Sequence, residues 1–252
     1  MFRKIIPCCI GLSLLCLSGL GLARANAPNS YSLKVGEVLE YKVIVKSAIY
    51  GANQTVKVVS KGFYNGRNVY NIHSEMITIG LVKGFTNYSQ VEDLVLDAEG
   101  FYPWVIKTAT KDNKHDRYEE VHFDYAAKKA VRSVIKDGEA KESSVLDLPG
   151  FVQDGLSLQF YLRQDQIGEG VNKIYFLGHS SIKENTFTVK RMSQTIQLEC
   201  GVFSKYLQIK DDDSSITVLI AETPERAPII IKSIAKFGAI EMKLAKTSHA
   251  SK

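Results

Sequence analysis

The stretch TVKVVSKGFYNGRNVYNIHSEMIT, Thr55 to Thr78, decides the fold class. Two β-rich runs, Thr55 to Tyr64 and Arg67 to Thr78, flank Asn65-Gly66, a dipeptide whose members both tolerate positive φ and so suit a two-residue hairpin turn. The two runs are therefore expected to pair antiparallel. Working outward, Gly36 to Tyr50 alternates, with Leu39, Tyr41, Val43 and Val45 on one face and Glu40, Lys42, Ile44 and Lys46 on the other. Gly51-Ala52-Asn53 reads as the break between that strand and the hairpin.

C-terminal to the hairpin, Ile79 to Gln90 reads as a short strand with a bulge or lid. Val91 to Leu96 and Phe101 to Thr110 follow as strands joined by Asp97-Ala98-Glu99-Gly100, a turn-forming group. Arg117 to Tyr125 places Val121, Phe123 and Tyr125 opposite Glu120, His122 and Asp124, and Ala130 to Ile135 runs into a second hairpin signal at Asp137-Gly138. One helix is predicted near Asp154, which would cap it, with Leu156 and Phe160 one turn apart on its buried face. Strands resume at Asn172 to Leu177, Thr186 to Leu198, Tyr206 to Ile209, Ile216 to Ala221, Ile229 to Ala235 and Ile240 to Leu244. About a dozen strands and one clear helix predict an all-β fold with one or two short helices: a curled antiparallel sheet, open or closed as a barrel.

The chain has 252 residues, 32 basic and 27 acidic, and four cysteines. Arg3 and Lys4, the apolar run Ile5 to Leu22 and the small residues around Ala23, Ala25 and Ala27 form the pattern of a secretory signal peptide. Cleavage after Ala25 would leave residues 26–252 as a single β-rich domain with a helical insertion near 147–170. It would remove Arg3, Lys4 and Arg24, taking the basic count from 32 to 29 against 27 acids, a net charge of +2. It would also remove Cys8, Cys9 and Cys16, so Cys200 would be the one remaining thiol, unable to form an internal bridge. The expected location is exported, periplasmic or extracellular. No later run reaches the roughly 18 apolar residues of a spanning helix. A charge of +2 with interleaved signs gives no nucleic-acid footprint.

Chemistry-bearing patterns are sparse. Glu120, His122 and Asp124 share a strand face and supply metal-ligating atoms, but their alternation with Val121, Phe123 and Tyr125 is that of a solvated outer face. Asp211-Asp212-Asp213 lacks the spacing and glycine of a calcium loop and reads as a hairpin turn. Gly178-His179-Ser180-Ser181 does not match a nucleophile elbow and reads as a turn. No phosphate loop or dinucleotide fingerprint occurs, and no cofactor or metal is expected. The aromatic residues Tyr102, Trp104 and Phe160 are the candidates for lining a ligand cavity.

The order of segments resembles the exported bacterial domain-of-unknown-function 3108 family. The resemblance rests on the opening strand Gly36-Glu37-Val38-Leu39-Glu40-Tyr41-Lys42-Val43, the turn Asp97-x-x-Gly100-x-x-Pro103, and the helix Asp154-Gly155-Leu156-Ser157 through Tyr161-Leu162-Arg163. It continues through Pro228-Ile229-Ile230-Ile231 and a closing strand from Gly238-Ala239-Ile240 to Leu244. It implies an exported β-rich fold similar in style to periplasmic lipoprotein carriers, and no reaction. Within the motif, Asp154 and Ser157 belong to the helix start and Arg163 falls near its C-terminus, where a cation suits the dipole, so structural roles are expected for all three.

The leading expectation is a periplasmic binding or carrier protein for a lipid or other amphipathic envelope component, without catalysis. An envelope polysaccharide hydrolase using Asp97 and Glu120 as acid and base is an alternative. So is an assembly factor that binds a protein partner through an exposed sheet edge.

Overall fold

A computed structural model describes residues 31–46, 48–178, 181–213, 215–235 and 238–249. The leader segment and His179-Ser180 lie outside those residues. The first half of the chain is a meander of β1 (Glu37–Val45), β2 (Ile49–Tyr64), β3 (Arg67–Thr78), β4 (Ser89–Asp97), β5 (Pro103–Lys111), β6 (Asp116–Asp124), β7 (Lys129–Lys136) and β8 (Glu139–Asp147), with helix α1 (Gly80–Phe85) between β3 and β4. A short β9 (Val152–Gln153) leads into helix α2 (Gly155–Tyr161). The second half contains β10 (Gly170–Leu177), β11 (Ile182–Met192), β12 (Ile196–Leu198), β13 (Gly201–Phe203), β14 (Tyr206–Asp211), β15 (Ile216–Ala221), β16 (Pro228–Ala235) and β17 (Gly238–His249).

Fifteen of these strands form one sheet in the order β8-β7-β6-β5-β4-β3-β2-β1-β17-β16-β15-β14-β11-β10-β9, while β12 and β13 pair separately. The fold is thus mostly β, a large curled sheet that does not close. The first and last strands meet in its middle, with Glu37 opposite His249 and Val45 opposite Ile240. Both expected hairpins form. Asn65 and Gly66 take φ of 47° and 77°, and Asp137 and Gly138 take 54° and 79°, the left-handed values that a primed turn requires.

Four expectations need correction. The Gly36–Tyr50 strand stops at Val45, and the chain reverses at Lys46, whose φ is 50°. Gly51-Ala52-Asn53 is not a break but runs within β2. Gly51 serves close approach there, since a Cβ would lie 2.9 Å from the Val82 side chain of α1. Ile79 to Gln90 is α1 followed by the start of β4, because Gly80 at φ 54° turns the chain out of β3. The Thr186–Leu198 run is split at Met192, and Ile196–Leu198 leaves the main sheet to pair with Gly201–Phe203 and pack Leu198 on the core.

Helix α2 determines how the curled sheet is filled. Five of its seven residues are buried, including Leu156, Leu158 and Phe160. Leu156 and Phe160 join a core with Leu39, Tyr41, Val56, Tyr70, Ile72, Leu94, Leu96, Val121 and Phe123 from β1–β6. Leu158 and the following Leu162 enter a second core with Ile174, Phe187, Val189, Leu207, Ile209, Val218 and Ile220 from β10–β15. The helix therefore joins the two halves of the sheet through opposite sides of one short cylinder.

Beyond its C-terminus, Arg163 places Nη2 2.6 Å from Glu37 Oε1, with both side chains almost wholly buried. The same guanidinium donates to the Glu225 carbonyl at 2.7 Å and lies over the rings of Tyr31 and Phe160. Removing one partner of a buried ion pair leaves a charge without compensation. Arg163→Ala is expected to lower unfolding free energy by ~3–5 kcal/mol in a urea titration. The double replacement Glu37→Leu with Arg163→Met should recover most of that loss.

Candidate functional site

The inner face of β2–β7 changes character along each strand. Its core-facing rows run from apolar to polar: Val56 to Gln54, Ile72 to Ser74, Leu94 to Glu92, Ile106 to Thr108, Val121 to Glu119, and Ala130 to Arg132. Strand register lines these polar residues up, because Ser74 lies opposite Glu92, Glu92 opposite Thr108, and Thr108 opposite Glu119. The N-terminal end of α2 faces this polar end through Asp154, Gly155, Leu156 and Gln159. A cleft of about 590 Å³ remains between helix and sheet. Met76, Ile106, Val121, Phe176 and Met242 complete its apolar wall, with Gln54, Gln90, Arg117 and Arg132 on the polar side.

Two carboxylate clusters organise the polar side. Asp154 accepts from the backbone N–H groups of Ser157 at 2.8 Å and Leu156 at 3.3 Å, while the Asp154 N–H donates to Ser157 Oγ at 2.8 Å, a complete capping box. Glu92 stands against this Asp154 carboxylate. Burial, then repulsion by Asp154 and a hydrogen bond shared with it, raise the Glu92 carboxyl well above the ordinary carboxylate range, although Gln90 Nε2 donates to it at 3.1 Å. Burial and the Asp154 carboxylate thus favour the protonated form of Glu92.

Glu119 has the opposite balance. Burial alone would raise it, but Arg132, 2.7 Å away, and Arg117, at 2.6 Å, hold its carboxyl below the usual range. Arg132 is 1 % exposed, while Glu119 is part-buried.

Among the described residues, the buried side-chain atoms lacking a hydrogen-bond partner concentrate at the cleft. Gln54 Oε1, Glu92 Oε1, Gln159 Oε1, and Nε and Nη1 of Arg132 are five such atoms, against only Gln153 Oε1 and Arg163 Nη1 elsewhere. The Arg132 Nε contact with Glu119 is close but misaligned for a hydrogen bond. Burying an unpaired polar atom costs about 1–3 kcal/mol, so such a concentration in one cavity requires a reason.

The residues singled out in the sequence are distributed differently. Tyr102 stacks on Phe151 with ring centroids 4.1 Å apart, and Trp104 packs edge-on against Tyr125 at 5.3 Å. Phe160 is buried in the first core. None of the three lines the cleft. Of the helix-motif residues, Asp154 borders it while capping α2, Ser157 completes the capping box, and Arg163 makes the ion pair with Glu37.

Asp97 and Glu120 do not converge on the cleft. Asp97 is held by Arg67, by the N–H groups of Glu99 and Gly100 and by Trp104, and Glu120 pairs with Lys107 and His122. The Cys200 thiol lies 3.2 Å from the Leu244 carbonyl, packs against the first core, and is pushed up by burial. Among the described residues no cluster of three His, Cys, Asp or Glu is disposed to hold a metal ion, and no helix is long and apolar enough to cross a membrane.

Sequence reasoning missed Gln54, Glu92, Glu119, Arg132 and Gln159. A signal was present in β6. Extending the inward phase of Phe123 and Val121 back by two residues at a time reaches Glu119 and Arg117, charged residues on a core-facing row.

The model of a family of proteins of unknown function, DUF3108, matches residues 39–245. No curated protein matches the chain. A crystal structure of a β-barrel-like protein of domain of unknown function DUF1849 from Brucella abortus is similar in fold, with a TM-score of 0.55 at 11% identity over 87% of this chain and 100% of that one. Weaker likenesses are a Bacteroides fragilis protein described as exported with a YmcC-like fold, and a Parabacteroides distasonis protein described as a lipoprotein. Their TM-scores are 0.32 and 0.28, at 7% and 8% identity, each over 88% of this chain and 100% of the other.

The state of Glu92 gives a pH signature. A carboxyl raised by folding favours the folded state at low pH, and that contribution disappears as pH climbs from the unfolded-state value through the folded one. The lowered carboxyls of Glu119 and Asp97 act in the reverse sense, losing their contribution as pH falls through their folded values. Glu92→Gln, which copies the protonated acid, should raise the melting temperature at pH 7–8 and give no gain below about pH 4, near the ordinary carboxylate pKa. Melting curves across that range check it; an equal effect at both ends would contradict a proton held at Glu92.

Proposed function

The chain belongs to the DUF3108 family, and from that premise we propose that it is an exported binding or carrier protein, periplasmic in location, whose cleft holds an amphipathic component of the cell envelope. The observation carrying this reading is the cleft's division. One wall is apolar, while the other carries buried polar atoms without hydrogen-bond partners on Gln54, Gln159 and Arg132. An apolar ligand would leave those atoms unpaired, and a wholly polar one would leave the apolar wall wet. A molecule with an apolar part and a hydrogen-bonding head matches both walls. The leader pattern of residues 1–25 supports export.

Binding rather than hydrolysis is favoured by how the cleft carboxylates are engaged. Asp154 is committed to the helix cap and Glu119 to two arginines, which leaves neither free to act on water, so the raised carboxyl of Glu92 has no free carboxylate beside it to serve as its partner base.

The test is recovery of the occupant. Protein isolated from its own envelope, analysed by native mass spectrometry and by organic extraction, is expected to carry a bound amphiphile. Thr108→Trp, which fills the cleft between Glu92 and Glu119, is expected to emerge empty with its melting temperature changed by only a few degrees. Wild-type protein that carries nothing, or a filled-cleft variant that carries the same molecule, would overturn the reading.

A further inference from the structure

The unpartnered atoms of the cleft are particular in kind. Gln54 Nε2 donates to Ser74 Oγ at 2.9 Å and Gln159 Nε2 donates to the Gly155 carbonyl at 3.3 Å. Those bonds fix both amides, so each oxygen is the end left without a partner. Glu92 Oε2 accepts from Gln90 Nε2, and its carboxyl stands against Asp154. Two amide acceptors therefore lack donors. On the same wall, Arg132 Nη1 is a donor lacking an acceptor. Gln54, Glu92, Gln159 and Arg132 are each at least nine-tenths buried, so bulk water does not supply these bonds freely.

We propose that the cleft recognises an uncharged polyhydroxyl head group, of the kind a sugar ring presents. This inference rests on the reading of the cleft as a binding site and specifies what it takes. Hydroxyls donate and accept at once, which is what the bare amide acceptors of Gln54 and Gln159 beside the bare Arg132 donor require.

Charge argues the same way. An anionic head would have to compete with Glu119 for Arg117 and Arg132, and would stand near Asp154. A cationic head would require Glu92 to ionise, against its burial and its neighbour Asp154. With the neutral form of Glu92 favoured, the carboxylates Glu119 and Asp154 balance the two arginines Arg117 and Arg132, which gives an ionic head little to answer. A sugar head could belong to a glycolipid or to a free glycan; the apolar wall distinguishes the two by whether an alkyl tail adds affinity.

Isothermal titration of the purified protein, below the micelle concentrations, with octyl β-glucoside, methyl β-glucoside, octylamine and octyl phosphate separates these cases. Octyl glucoside is expected to bind at least 10-fold more tightly than octylamine or octyl phosphate. It should also bind more tightly than methyl glucoside. Gln159→Leu should weaken octyl glucoside ~3–10-fold, the worth of one neutral hydrogen bond, while the ligand-free protein melts at the same temperature or higher because a buried bare acceptor is gone. Equal affinity for all three octyl compounds, or preference for the amine or phosphate, overturns the polyhydroxyl head and leaves the amphiphile site standing. Equal binding of methyl and octyl glucoside upholds the sugar and overturns the amphiphile. No binding of any probe overturns both.

Discussion

The buried pair between Arg163 and Glu37 fixes the relation on which the rest of the molecule depends, that of helix α2 to the strand at the centre of the sheet. Glu37 opens β1, the strand that pairs with β17 and so joins the two meanders. Arg163 follows α2 and also donates to the carbonyl of Glu225 in the β15–β16 connection. Arg226 next door donates to the carbonyls of Arg163 and Gln164 at 2.6 Å and 3.0 Å, satisfying backbone acceptors just past the helix. Two charges in an apolar interior carry a desolvation cost that a hydrophobic pair would avoid, so the contribution lies in position rather than net energy. The pair allows one seat for the end of α2.

From that seat the remaining geometry follows. Arg163 holds one end of α2, and Leu156 with Phe160, against Leu158 with Leu162, hold its two sides. Its N-terminal end then falls over the stretch of sheet where the inner rows turn polar. The helix has only seven residues, and a cleft remains between its N-terminal end and the sheet. Asp154 belongs to both regions, since its carboxylate closes the helix start and also borders the cleft. The site thus grows out of the same element that organises the core.

Much of the fold was legible in the residues. Both primed turns were written in Asn65-Gly66 and Asp137-Gly138, and the helix start in Asp154 and the apolar spacing after it. What was not legible depended on the third dimension. Gly51 is the kind of residue that punctuates a chain, yet in β2 it admits the side chain of Val82 from α1, a contact no local pattern encodes. β1 ends at Val45 because Lys46 after it adopts a left-handed conformation with no turn-forming dipeptide to announce it. For the site, abundance misled. The aromatics around Tyr102 and Trp104 formed the visible cluster, and they pack with Tyr125 and Phe151. The cleft was recorded in the phase of the strands, where Gln54, Glu92 and Glu119 occupy positions an apolar core would give to valine or leucine.

That substitution of polar for apolar residues on an inward face is the strongest sign that the cleft is functional. Folding stability is a small difference between large terms, about 5–15 kcal/mol for a domain. Against that margin, the buried polar atoms of Gln54, Gln159 and Arg132 that lack a hydrogen bond are a heavy burden at about 1–3 kcal/mol each. Packing offers no reason for them: the same strands place Val56, Ile72, Leu94 and Val121 on the same inner rows a single step away, and all are buried. Nor does the helix need them, because Asp154 and Ser157 complete its cap without Gln54, Gln159 or Arg132. A hydrogen-bonding occupant removes the penalty when bound, and its affinity gains what the empty protein loses. Under the proposed binding role, stability at these positions is set aside for recognition.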